Sequence, residues 1–196
     1  MKPMKSLIVL ALLVAPAIAS AQCYYGGGPD GHYRGFHRRA GRLAWGFSVG
    51  LGGMHDGGSG ITDCANCNFN PWTVEFDGHI GGMLTNNFAL LFEAQENVQT
   101  ISNNGDVLSQ TALMIAGQYW VLPQLWLKGG IGYAHLDFND TPDIDGGAVI
   151  MGAIGVELLS ARFFAMDLQA RLIDVAYKGV DDNITSFTVG LGLNWY

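Results

Sequence analysis

Charge is scarce in this chain. Only 14% of its 196 residues are Asp, Glu, Lys or Arg, against roughly 25% in ordinary globular domains. The formal net charge of −7 excludes a nucleic-acid partner held by bulk electrostatics. Apolar runs are short, and none reaches the roughly 18 residues that a spanning helix needs. The length suits one domain and is too short for two comfortable ones. What the chain has in quantity is glycine, 28 residues, and apolar side chains placed at every second position.

Residues 1–21 read as a cleavable secretory signal. Lys2 and Lys5 give the positive start, Leu7 to Val14 the apolar centre, and Ala19-Ser20-Ala21 the small-residue cleavage site. Gln22 before Cys23 is too large for a lipoprotein motif. Residues 22–42 form a basic Gly/Tyr/His/Arg segment without a period, expected to be flexible and periplasmic. Arg34, Arg38, Arg39 and Arg42 in it suit an anionic envelope polymer or lipid headgroup. His32 and His37 lack the spacing and companion ligands of a metal site.

From residue 43 onward the apolar period is two. Thr185 to Tyr196 sets Phe187, Val189, Leu191, Leu193 and Trp195 on one parity and Ser186, Thr188, Gly190, Gly192 and Asn194 on the other. Leu43 to Gly53 repeats the pattern, and the two are expected to pair as the seam of a closed sheet. Six more segments lie between: Trp72 to Leu84, Phe88 to Val98, Gln110 to Val121, Leu125 to His135, Ala148 to Leu159 and Phe163 to Val175. Tight turns at 85–87, 122–124 and 160–162 alternate with longer loops at 54–71, 99–109, 136–147 and 176–183. Residues 43–196 therefore predict an all-β domain, an eight-stranded antiparallel up-and-down transmembrane β-barrel.

Three features put the greasy parity outside, against lipid. The other parity is Gly, Ala and Ser with few charges, unlike a water-facing surface. Small residues suit the narrow interior of eight strands. Aromatics collect towards strand ends, as two girdles would: Phe88, Tyr119, Phe164 and Trp195 beside the short turns, Trp72 and Tyr133 beside the long loops. Only Glu96 and Asp174 put charge on the greasy parity, both at long-loop ends.

This combination resembles the small outer-membrane barrel family of the OmpA/OmpX and opacity-protein type. The most specific stretches are AGQYWVLPQLWLKGGIGYAHL (Ala116 to Leu136) and the GLGLNWY ending. The usual terminal aromatic sits in lipid-facing parity, whereas here Trp195 holds that parity and Tyr196 lies one beyond. The resemblance implies a cell outer-membrane location and, as partners, outer-membrane lipid with lipopolysaccharide, the barrel-insertion machinery and an external surface ligand.

The interior parity collects Glu75, Asp77, Glu93, Glu157 and Asp167 against Lys128 and Arg171, with His79 opposite Glu93. These read as a lumen-filling charge network; the sharper alternative is a narrow cation path. Cys64 and Cys67 in the first long loop read as a small disulfide, since no second pair or His completes a zinc shell. The acidic third loop, with Asp137, Asn139, Asp140, Asp143 and Asp145, lacks EF-hand order. His135 at a rim has no serine in its own strand, and His55 beside Asp56 is a weak dyad. No catalytic residue, metal site or cofactor is therefore assigned. The expected function is non-enzymatic, and the resemblance implies a structural, surface-contact or adhesive role carried by the loops. A porin-like channel for small or hydrophobic solutes and a lipid-modifying hydrolase are the alternatives.

Overall fold

The computed structural model describes residues 39–56, 69–101, 106–138, 144–161, 164–178 and 183–196. The signal segment, Cys23, His32, Arg34, His37, Arg38, Cys64, Cys67 and residues 139–143 of the acidic loop lie outside the described residues. Eight strands follow one another: β1 Leu43–Asp56, β2 Phe69–Met83, β3 Phe88–Ile101, β4 Asp106–Trp120, β5 Leu125–Phe138, β6 Ile144–Ser160, β7 Phe164–Tyr177 and β8 Ile184–Trp195. Each pairs antiparallel with the next, and β1 closes the barrel on β8. The expected seam is there, running from Trp45 opposite Trp195 to Asp56 opposite Ile184.

Period-two alternation places every second side chain outside. Ile131 is 69% exposed, Ile115 61% and Ile150 60%, so the outer wall is a belt of bare aliphatic and aromatic surface. At the short-turn end Trp45 stacks on Trp195 with ring centroids 4.3 Å apart. Phe164 leans on the same indole at 5.4 Å, and Phe88 faces Tyr119 across β3 and β4. Trp72 and Tyr133 are exposed towards the long-loop end.

The strands run past the expected limits at the long-loop end, taking in Gln99, Ser109, Leu136, Gly147 and Ala176. Backbone pairing continues there while the outward positions turn polar, so the hydrophobic period ends before the ladder does. Outward Glu96 accepts from the Ser109 hydroxyl, and Asp174 accepts from Asn183 and Thr185.

In β6 the alternation in the sequence carries the outward face from Ile150 and Ile154 on to Val156 and Leu158, but Val156 is buried and the register against β7 slips between Glu157 and Leu159. The bulge adds a residue, and Leu159 takes the outer position at 53% exposure. The interior also holds more than small residues. Trp120, Trp126, Met83, Met114, Leu108, Leu136 and Ile173 are all buried, many next to apolar outward neighbours that mask them in the pattern.

Candidate functional site: the filled lumen and its short-turn mouth

Inward side chains of eight strands converge on a space too narrow for a wide channel. At mid-height Arg171 of β7 points across the lumen to strands on the far wall. Its Nη1 lies 2.9 Å from Glu75 Oε1 and 3.3 Å from Asp77 Oδ2 on β2, and its Nη2 lies 2.9 Å from Glu93 Oε1 on β3. Lys128 Nζ of β5 reaches the other Glu93 oxygen at 3.0 Å. One planar guanidinium thus ties β7 to β2 and β3, and an ammonium ties β5 to the same carboxylate. Thr188 donates to Glu75, and Ser48 donates to Asp77 at 3.3 Å.

His79 faces Glu93 in the β2–β3 register, and its Nδ1 lies 3.3 Å from Asp77 Oδ1. Asp77, His79 and Glu93 each offer one ligand atom, all within 4.8 Å of one another. That spacing suits a metal, but Arg171 and Lys128 already sit against two of the three groups. Two fixed positive charges oppose a third in so confined a volume.

Towards the long loops the filling changes to neutral groups. Asn97 Nδ2 donates to Gln110 Oε1 at 3.1 Å and to Ser186 Oγ at 3.2 Å. Gln110 Nε2 donates to the Tyr177 hydroxyl at 3.0 Å, and Thr73 to Gln99 at 3.2 Å. Leu108, Val149, Val175 and Ile184 are buried on the same inner wall.

Towards the short turns lies an aromatic layer that the pattern reading did not single out. Trp120 Nε1 donates to Glu157 Oε1 at 2.8 Å, and Trp126 Nε1 donates to Asp167 Oδ2 at 3.1 Å. Asn194 Nδ2 donates to that same Asp167 oxygen at 2.7 Å. Gly155 stands opposite Trp126, and a methyl group there would strike the indole. The signal for this layer was present: Trp120 and Trp126 flank a tight turn at mirrored positions, both in interior parity.

A cation from outside the barrel completes the mouth. Arg39 belongs to the basic segment that the sequence assigned to envelope contacts, yet its guanidinium is turned inward. Nη2 is 2.9 Å from Glu157 Oε2. The guanidinium carbon lies 5.0 Å from the Trp120 ring centre and 4.4 Å from that of Tyr196. A turn carries it there, with Arg42 N–H donating to Arg39 C=O at 3.2 Å and Gly41 at φ +74°, a conformation that suits glycine at the third turn position. Gly41 N–H donates to Met83 C=O, and Met83 N–H to Arg42 C=O, at 2.8 and 2.9 Å.

Of the rim groups, His135 Nε2 is 3.4 Å from Asp137 Oδ1 with both side chains well exposed. His55 is exposed too.

No family model matches the sequence, and no curated protein does. Solved structures do. Ail, the attachment invasion locus protein of Yersinia pestis, aligns over 79% of this chain and 99% of its own, at 10% identity and TM-score 0.50. Neisserial surface protein A aligns over 78% of this chain and 95% of its own, at 8% identity and the same TM-score, 0.50. The fold is that of the small eight-stranded outer-membrane barrels. OprG of Pseudomonas aeruginosa aligns over 80% of this chain and 96% of its own, at 10% identity and TM-score 0.47.

Proposed function

We infer that the chain is a non-enzymatic outer-membrane barrel that serves as a rigid support for surface contact through its long-loop end. The apolar outer wall favours hydrocarbon over water as its solvent, at about 25 cal/mol per Å² of apolar surface. Aromatic side chains near both ends fit the two interfaces of a bilayer. The observation that carries the reading is the Arg171 cluster. A lumen crossed by one guanidinium bound to three carboxylates, with Trp120, Trp126 and Tyr196 towards the short turns, holds its shape and supports a filled interior over a conducting one. Function then falls to the loops that the cylinder presents.

Planar-bilayer recording of the refolded protein tests this against the channel alternative. Folded protein, verified by a gel shift on boiling, is expected to leave the bilayer silent. Discrete, reproducible conductance steps from that preparation overturn the reading. The surface role has its own test. Replacing residues 57–68 with a short Gly/Ser linker is expected to preserve the gel shift while abolishing attachment of cells that display the barrel to a host-cell layer. Attachment equal to that of the unaltered barrel counts against loop-borne contact.

A further inference from the structure

The short-turn mouth holds a cation from outside the eight strands, while the strand residue Lys128 lies deeper, 5.4 Å from the Trp126 ring centre. Glu157 and Asp167 stand opposite each other in the β6–β7 register, both buried to 1% exposure. Each gives one oxygen to an indole N–H. That leaves Glu157 Oε2 to accept from Arg39, while Asp167 Oδ1 lies where a side chain at Gly192 would stand. Trp120 and Tyr196 meet edge to face beside them, at 5.6 Å and 79°. One carboxylate, Glu157, and two electron-rich rings around one space form a cation cage. A planar guanidinium fits better than an ammonium, because it binds a carboxylate edge-on while lying against aromatic faces. Arg39 occupies that space with 14% of its side chain exposed.

We propose that this mouth is a binding site for small alkylguanidinium cations arriving from the short-turn side, occupied in cis by Arg39. The occupant belongs to a short turn joined to the β2 end by a few hydrogen bonds, with Ala40 N–H donating to Asn86 Oδ1 at a long 3.3 Å. It is therefore tethered rather than built into a strand. Tethering gives Arg39 an effective concentration in the millimolar range or above, so a free alkylguanidinium competes poorly while the turn is docked. It enters once the turn is displaced or its arginine is removed. Selectivity follows from chemistry: the neutral, equally shaped alkylurea lacks the charge that Glu157 requires.

Chemical rescue tests the proposal. The full barrel is refolded as R38A/R39A/R42A, because Arg42 Nη1 already lies 3.5 Å from the Tyr196 C=O and no adjacent arginine should take the space, and the temperature of its gel shift on heating is measured. The variant is expected to shift at lower temperature than the unaltered protein. Ethylguanidinium at tens of millimolar is expected to restore most of the difference, whereas ethylurea restores none and the unaltered protein does not respond. Calorimetric titration of the variant is expected to show saturable binding, lost when E157Q is added. If the variant fails to fold alone, refolding yield replaces temperature as the readout, and ethylguanidinium present during refolding is expected to recover it. No rescue of either quantity, equal rescue by ethylurea, or binding that survives E157Q overturns the assignment.

Discussion

The middle of the lumen and its short-turn mouth neutralise buried carboxylates in opposite ways. In the middle, Arg171 and Lys128 are strand residues, fixed by the same ladders that carry Glu75, Asp77 and Glu93. At the mouth, Asp167 accepts from Trp126 and Asn194, whereas Glu157 relies on the Trp120 N–H and an arginine borrowed from a turn outside the barrel. The first arrangement cannot come apart without unfolding, because each charge would be left in a low-dielectric space. The second can, because its cation reaches in from the rim. Difference in attachment, rather than difference in chemistry, separates a structural network from an exchangeable site.

The comparison is broken most forcefully at its centre. R171M removes the one cation shared by three carboxylates and is expected to cost about 3–5 kcal/mol, read as the urea midpoint for unfolding from lipid vesicles. A loss under about 1 kcal/mol would sink the claim that this cluster holds the lumen together. Next comes W120F, which keeps a ring but deletes the N–H donated to Glu157. A hydrogen bond to a charged group is worth about 1.5–3 kcal/mol, and the same unfolding measurement is expected to show a loss in that range. G41A sharpens the contrast from the mouth's side. A side chain at φ +74° strains the turn by about 1–2 kcal/mol, and displacement of Arg39 is the expected relief. It should lower the gel-shift temperature, as loss of Arg39 from the mouth does, and, unlike R171M, leave the mid-lumen network intact. Smallest is H135A at the open rim, where exposed ion pairs contribute about 0–1 kcal/mol. An unfolding midpoint indistinguishable from the unaltered protein is expected there, and a large loss would mean that the rim pair is coupled to the lumen.

Several of these residues were legible before any coordinates. His79 opposite Glu93 follows from counting back from a tight turn, because antiparallel register is set by turn length. The inward parity of Glu75, Asp77, Lys128 and Arg171 follows from period two alone. The ladder extensions beyond Val98 and His135 were not legible, since the greasy parity fades where the outer wall leaves the apolar belt. Nor was the bulge at Leu158, because a run of two leucines looks the same in either phase. Trp120 and Trp126 are legible only from their mirrored interior-parity places about the turn, because apolar neighbours on both sides blur the alternation there.

By itself the sequence determined the sheet, its closure and its two faces, because alternation and turn spacing are local and each strand carries its own copy. Which lumen groups meet was decided only by closure of the cylinder. Arg171 and Glu93 lie on opposite walls, and the reach of a side chain across that gap is written in no single strand. The same holds for Arg39: its residue type is plain in the chain, but a turn at Gly41 and a mouth lined by Glu157, Trp120 and Tyr196 were needed to bring a basic tail residue inside.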